Sequence, residues 1–244
     1  MSNNNLKFSI VIPVYNEEKN IPFLYDSIRK VMGNIMEGGY EIIFVNDGSQ
    51  DETFGVLNTI ASESSDLIIV NLNKHRGQSI AMQAGFDIAK GGLIITMDGD
   101  LQNDPVDIPA LFYKMKEGYD IVCGWRYKRN DSGVRMFLSI VSSVIRRIIF
   151  RETIHDPGCT LRIFKKEVLR NVFMFNGAHR FFTLIMVKLG YKVGEIKVVH
   201  HRRKFGKSKY SIYHKFIHGI VVFIKFFMFD IHALLEKGES VKNK

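Results

Sequence analysis

Residues 93–102 read Leu93-Ile94-Ile95-Thr96-Met97-Asp98-Gly99-Asp100-Leu101-Gln102. The first five form a short apolar run without strict alternation, the pattern of a strand buried on both faces. Two carboxylates around one small residue close it. Three similar runs lie upstream, at Phe8–Tyr15, Glu41–Asp47 and Leu67–Leu72. Helix-patterned stretches separate them, over about Glu18–Met32, Thr53–Ala61 and Ser79–Ala89, and another follows at Val106–Met115. Ile121–Trp125 reads as a fifth strand. This alternation predicts an α/β fold with a mostly parallel, Rossmann-like sheet flanked by helices and joined by right-handed crossovers. Ligands of such sheets sit beyond the carboxyl ends of the strands. Every polar motif below falls there.

Composition narrows the function classes. The chain has 244 residues, 46% hydrophobic and 24% charged, enough for a sizeable core and too apolar for a disordered chain. Its net charge of +9 is unevenly spread. Residues 1–120 carry 9 Lys/Arg and 17 Asp/Glu, net −8, and residues 121–244 carry 25 and 8, net +17. The second half is therefore suited to anions, with nucleic acid, membrane surface and phosphorylated substrates all open at this point. Two isolated cysteines, Cys123 and Cys159, make no disulfide framework and point to a reducing compartment. The polar start Met1-Ser2-Asn3-Asn4-Asn5 is not a signal-peptide core. The most apolar stretch, Phe216–Leu235, holds His218, Lys225, Asp230 and His232, which argues against a transmembrane helix. Val134–Phe150 and Phe216–Phe229 show helical apolar periodicity with cationic rims. Each reads either as a core-packing helix or as a helix lying in a membrane interface, and the aromatic-rich second segment favours the interface.

The strand ends carry the chemistry. Ile12-Pro13-Val14-Tyr15-Asn16-Glu17-Glu18 ends the first strand and opens a helix that Asn16 can cap. Tyr15 can stack on a base, and Glu17 can accept from a base or ribose; a plain capped turn is the alternative. Val45-Asn46-Asp47-Gly48-Ser49-Gln50-Asp51 ends the second strand. An acid there commonly binds a ribose or base edge, although Asp-Gly is also ordinary turn chemistry. Gly48 permits a tight turn, and Ser49 or Asp51 can cap the next helix. After the third motif's strand, Asp98 and Asp100 can share Mg²⁺ or Mn²⁺ that also takes diphosphate oxygens, with Gln102 adding or holding an oxygen ligand. A polar turn is the alternative. His75-Arg76-Gly77 precedes a helix start, which reads equally as a phosphate site or a surface turn.

Together these motifs resemble the family 2 glycosyltransferases of the GT-A fold, from Phe8 to about Tyr213. The resemblance implies that Pro13, Tyr15, Glu17, Val45 and Asp47 hold the nucleotide. It implies that Asp98, Gly99 and Asp100 meet the metal and sugar diphosphate, with Gln102 at the metal. Asn46 stands where many members carry a first Asp, and Gly99 stands where Ala is commoner.

Four later segments are similar to the polyprenyl-phosphate branch of that family, the dolichol-phosphate mannosyltransferases and undecaprenyl-phosphate sugar transferases. They are Gly124-Trp125-Arg126-Tyr127-Lys128-Arg129-Asn130-Asp131, His155-Asp156-Pro157-Gly158-Cys159-Thr160-Leu161, Ala178-His179-Arg180-Phe181-Phe182, and Arg202-Arg203-Lys204-Phe205-Gly206-Lys207-Ser208-Lys209-Tyr210. By that resemblance Arg126 helps bind the donor and acts in catalysis with Asp98, Asp100 and Asp156. Arg203 and Lys209 reach over the donor diphosphate. Arg126, Arg129, Arg135, His179, Arg180 and Ser208 receive the acceptor phosphate. Asp156 reads three ways: it orients Arg126 or another cation, takes a proton from the acceptor, or caps the turn before Pro157. His200-His201 beside Arg202-Arg203 reads as part of an anion site rather than a metal site.

The charge asymmetry supports a phosphate acceptor independently. A sugar hydroxyl needs a general base, whereas a phosphate monoester, with a second pKa of about 6, is already largely dianionic. It needs cations to bind and align it, and arginine forks suit its oxygens. The expected function is inverting, metal-dependent transfer of a sugar from a UDP- or GDP-linked nucleotide sugar to undecaprenyl or dolichyl phosphate. The expected place is the cytoplasmic face of the membrane, for a peripheral enzyme without a nucleic-acid partner. Many bacterial members continue into transmembrane helices, so a membrane-protein partner or a truncated chain are the other outcomes. The expected organisation is a catalytic domain over 1–210, with a nucleotide-sugar half (1–120) and an acceptor half (121–210). An amphipathic membrane-associating segment and polar tail follow over 211–244. Two alternatives stay open: a family 2 transferase with a glycan or other hydroxyl acceptor, and a non-enzymatic, membrane-associated nucleotide-sugar binding protein.

Overall fold

The computed structural model describes residues 6–35, 39–127, 154–172 and 174–205. Strand β1 (Leu6–Val14) is followed by α1 (Ile21–Ile35), β2 (Gly39–Asn46), α2 (Thr53–Ser62), β3 (Leu67–Asn71), α3 (Gln78–Ile88) and β4 (Leu93–Thr96). Then come a 3-10 turn (Pro105–Asp107), α4 (Ile108–Met115), β5 (Ile121–Arg126) and β6 (Arg162–Lys165). Two 3-10 turns (Lys166–Asn171 and Ala178–Arg180), α5 (Phe182–Lys188) and β7 (Val193–Val198) complete the described elements. Their order in the sheet is β3-β2-β1-β4-β6-β5-β7.

Alternate strand residues feed two apolar layers. Ile10, Ile12, Ile42, Phe44, Ile95 and Val122 face one layer, where α1 contributes Ile21, Leu24, Ile28 and Met32 and α4 contributes Ile108, Leu111 and Met115. Val11, Ile43, Val45, Ile94 and Cys123 face the other, under Ala81, Met82 and Phe86 of α3 and Phe182, Ile185 and Met186 of α5. Burial on both faces explains why these strands lack polar alternation. The α1 spacing of three and four residues is the matching helical stripe. Cys123 and Cys159 are free and buried, and burial pushes their thiols up to about 12 and about 11, so both are inert packing residues.

The pairs β1/β2, β1/β4, β2/β3 and β5/β7 are parallel, and β6 runs antiparallel between β4 and β5. The sequence reading stops at five strands. It misses β6 and β7 because Arg162, Lys165, Glu195 and Lys197 break the apolar pattern. The orientation of β6 follows from connectivity. The chain leaves β5 at its carboxyl end and re-enters the sheet at that same end, so it must run the opposite way. This brings residues 154–161 across the mouth of the sheet, beside the acidic loop after β4. Val134–Phe150, Phe216–Phe229 and the expected 211–244 unit lie outside the described residues. Among the described residues no helix is long and apolar enough to cross a membrane.

Candidate active site

The loops after β1, β2 and β3 are laced together. Pro13 lies opposite Val45, and Val14 opposite Asn46, so the first two loops leave the sheet side by side. Val45 is fully buried in the layer beneath α3, so any contact with a ligand falls to its main chain. Asn16 does not cap α1. It sits at φ 53°, its N–H donates to Ser49 Oγ (2.9 Å), and its Oδ1 accepts from the Gln50 N–H (2.7 Å). The Asn16 side chain thus joins two loops, and the Glu17 carbonyl receives the first amides of α1 instead. Glu17 is buried, with its carboxylate accepting from Asn20 Nδ2 (2.5 Å). Asp51 Oδ1 does accept from the Thr53 N–H that starts α2.

Asp47 is a clamp. Its two oxygens accept from the N–H groups of Arg76 (2.7 Å) and Gly77 (2.9 Å), and Oδ2 also meets His75 Nδ1 at 2.8 Å. The imidazole of His75 stacks on Tyr15, centroids 4.0 Å apart and 20° from parallel. The anion held before α3 is therefore this chain's own carboxylate. Gly48 makes the closure possible: at φ +66°, a Cβ there would stand 2.4 Å from the Lys74 carbonyl carbon.

The acidic pair lies past β4. Asp98 accepts from Gln78 Nε2 at Oδ1 and from Thr160 Oγ at Oδ2, both at 2.7 Å. Thr160 is held in turn by Asn103 Nδ2 (2.9 Å) and through its carbonyl by Thr96 Oγ (2.7 Å). Asp100 pairs with Arg203 Nη2 at 2.5 Å, and its Oδ1 accepts from the Gln102 N–H. Leu101 between them stands at φ 60°, a strained conformation for leucine that turns the chain immediately after the acids. Burial, then the charge of Asp100, pushes Asp98 up to about 6, against the pull of Thr160, Arg126 and Gln78. Two neighbouring carboxylates, one of them raised by the charge of the other, fit a hard divalent cation. Among the described residues no group of three or more His, Cys, Asp or Glu side chains gathers. One or two carboxylates completed by substrate phosphate is the usual Mg²⁺ arrangement, so the pair fits that mode.

Two expected outcomes arise here. Because Asp98 binds its proton more tightly folded than unfolded, the metal-free protein gains stability as pH falls through about 6 toward 4. Asp98→Asn is therefore expected to raise the melting temperature of metal-free protein at pH 8 and to lose that advantage progressively as pH falls from about 6 to about 4. No difference at pH 8 would count against the buried charge. Separately, a Cβ on Gly99 would stand 2.6 Å from Val14 Cγ1. Gly99→Ala is expected to cost about 1–3 kcal/mol in urea unfolding, and Val14→Ala in the same chain to relieve it.

Facing the acids are the ends of β5 and the re-entrant loop. Arg126 forks onto Asp156, Nε to Oδ2 at 2.6 Å and Nη2 to Oδ1 at 2.8 Å. Burial works against the guanidinium charge, and the Asp156 carboxylate outweighs it, lifting Arg126 above its ordinary value. Glu195 of β7 steadies this loop by accepting from the N–H groups of His155 (2.8 Å) and Asp156 (3.0 Å). His155 also stacks on Trp125 at 4.1 Å.

His179 Nδ1 lies 2.8 Å from Ser79 Oγ in the first turn of α3, and Arg180 follows it, half-buried. Residues 199–205 run back along 100–107. The Val199 N–H meets Asp107, His200 pairs with Asn103, and the His201 N–H donates to the Gln102 carbonyl. Gln102 Nε2 donates to the His201 carbonyl, and His201 Nε2 meets Asp104 at 2.9 Å rather than joining an anion site. This strap delivers Arg203 to Asp100. Tyr15, Glu17, Asp47, Asp98, Asp100, Gln102, Arg126, Asp156, His179, Arg180 and Arg203 thus sit on loops at one end of the sheet. Arg129, Arg135, Ser208 and Lys209 lie outside the described residues. Sequence reasoning missed Gln78, Ser79, Thr160 and Glu195 as parts of this site. Thr160 stood inside a quoted motif. Glu195 gave no signal, because it reaches the site only through its pairing opposite Cys123.

The family model described as Glycosyl transferase family 2 matches residues 9–173. Dodecaprenyl-phosphate galacturonate synthase of Rhizobium johnstonii is 38% identical over 216 residues, covering 85% of this chain and 63% of that protein. Undecaprenyl-phosphate 4-deoxy-4-formamido-L-arabinose transferase of Yersinia pestis is 38% identical over 210 residues, covering 84% and 63%. The chain therefore spans 63% of the length of these curated relatives. Among solved structures, glucosyl-3-phosphoglycerate synthase from Mycobacterium tuberculosis, in complex with Mn²⁺, UDP and glucosyl-3-phosphoglycerate, superposes with a TM-score of 0.64. It is 21% identical and the match covers 82% of this chain and 73% of that one, a likeness of fold.

Proposed function

Because this chain belongs to glycosyl transferase family 2 and has the GT-A fold, we propose that it moves a sugar from a nucleoside diphosphate to a polyprenyl phosphate at a membrane surface. The observation that carries this reading is the facing of two chemistries across one mouth: the acidic pair Asp98/Asp100 against Arg126, whose charge acts on Asp98, with the His179–Arg180 turn tied to Ser79 beside Gln78. The two curated relatives, whose names give dodecaprenyl phosphate and undecaprenyl phosphate, support the acceptor class. The Mn²⁺ and UDP complex of the structural neighbour supports a divalent cation and a uridine donor.

Asp98 and Asp100 would hold the divalent cation, which would supply positive charge against that growing on the leaving diphosphate. The chain's own residues do the rest. Tyr15 and the Asp47-clamped loop shape the nucleotide side. Arg203 is placed to pass from Asp100 to the diphosphate. Asp156 holds Arg126 in a fixed fork facing the acids, where it aligns the acceptor phosphate for in-line attack and inversion at the anomeric carbon. No general base is required, because the attacking oxygen is already anionic.

The test incubates radiolabelled nucleotide sugars with undecaprenyl or dolichyl phosphate and Mg²⁺ or Mn²⁺. Label in the lipid extract is the expected result. Label in water-soluble glycan instead would establish a hydroxyl acceptor, and donor binding without transfer or hydrolysis would leave a binding protein.

A further inference from the structure

Arg162 is the largest fully buried side chain described in the molecule, at 0% exposure in the middle of the sheet. It pairs in register with Thr96 on one side and Cys123 on the other. Among the described residues no carboxylate accompanies it. Its guanidinium lies 5.4 Å over the ring of Phe182, and Nη2 donates to two main-chain carbonyls, Pro157 and His179, each at 3.1 Å. Nε and Nη1 have no hydrogen-bond partner among the described residues. Burying a charge this way costs several kcal/mol, and an apolar side chain of similar length would usually serve stability as well or better. Packing is therefore a poor account of an arginine here.

The two carbonyls suggest a better one. Pro157 belongs to the loop whose Asp156 carries Arg126. His179 lies in the turn that carries Arg180. That turn is held on its other side by Ser79, whose Oγ accepts from the N–H groups of Gly177 (3.1 Å) and His179 (3.3 Å). The turn is thus clasped between α3 and Arg162, and Arg162 joins it to the Asp156 loop through a single nitrogen. A nitrogen that donates one N–H to each of two carbonyls fixes the separation of its acceptors.

We propose that Arg162 is a positioning residue that sets the spacing between the Arg126–Asp156 fork and the His179–Arg180 turn, and so governs capture of the acceptor phosphate rather than binding of the donor. This rests on the acceptor reading given under the proposed function. It touches neither substrate. Losing the clip lets the two cationic loops drift relative to one another, while Asp47 keeps its bonds to residues 75–77 and Thr160, tied to Thr96 and Asn103, still holds Asp98.

The experiment compares full-length wild type, Arg162→Met and Arg162→Lys. Three quantities are read: affinity for UDP with Mn²⁺, KM and kcat for undecaprenyl phosphate in phosphatidylcholine vesicles with the nucleotide sugar that supports transfer, and hydrogen exchange of amides 155–158 and 177–180. For Arg162→Met, acceptor KM should rise about tenfold or more, with faster exchange in both segments and UDP affinity within about twofold of wild type. Arg162→Lys, able to reach one carbonyl at a time, should fall between, and it carries the same comparison if the methionine variant does not fold. Unchanged acceptor KM in a folded variant would overturn the proposal. So would parallel loss of donor and acceptor binding, which is the mark of a merely structural residue. A wild-type protein inert toward every lipid phosphate would instead overturn the acceptor reading, and this proposal with it.

Discussion

Asp100→Ala is expected to abolish sugar transfer, by about a thousandfold or more, in a protein that still folds. The carboxylate is one of two that would hold the divalent cation, and such a cation supplies several kcal/mol at the leaving diphosphate, with each 1.4 kcal/mol worth about tenfold in rate. Its structural role is small by comparison. It accepts from the Gln102 N–H and pairs with Arg203, which is itself part-exposed. Its removal also relieves Asp98 of a neighbouring negative charge, so thermal stability without metal should hold or rise. Lipid-extractable product, circular dichroism and Mn²⁺ titration measure the three quantities. Near-normal turnover would remove Asp100 from the metal assignment.

Asp156→Ala is expected to be the most destabilising single change in the site, at about 3–5 kcal/mol, because it leaves the guanidinium of Arg126 buried without its partner. The fork has side-chain exposures of only 13% and 10%, so water replaces little of the lost interaction. Urea unfolding would read the loss. Adding Arg126→Met to Asp156→Ala should recover much of the stability, since no buried charge then remains, while transfer stays absent. A single variant within about 0.5 kcal/mol of wild type would show that the fork contributes nothing beyond a surface pair.

Much of the first half of the chain was legible from local pattern. β1, β2 and β4 are buried on both faces and edge strand β3 is half-buried, so their apolar runs stand out, and the carboxyl ends of β1, β2 and β4 deliver Tyr15, Asp47 and Asp98 in a predictable place. What the pattern did not show is how those side chains are used. Asp47 reads as a ligand-binding acid, yet its oxygens are taken by the amides of Arg76 and Gly77 and by His75, contacts about thirty residues away that no spacing rule anticipates. Asn16 reads as a helix cap and instead ties two loops. The second half was less legible. Its strands β6 and β7 carry charged residues at positions that face the site or the sheet edge, and polar interruptions erase the strand signal.

Sequence alone determined the parts set by local chemistry and periodicity: the α/β alternation, the two-sided burial of β1, β2 and β4, and the acidic pair that follows β4. Tertiary structure alone decided the antiparallel insertion of β6, because that depends on which end of the sheet the chain returns to. The insertion brings Thr160 to Asp98, sets Asp156 against Arg126 and buries Arg162 between two loops. The physical reason is range. Side-chain period reports which face a residue occupies, whereas a hydrogen bond between loops some sixty residues apart in sequence exists only once the sheet has closed the distance.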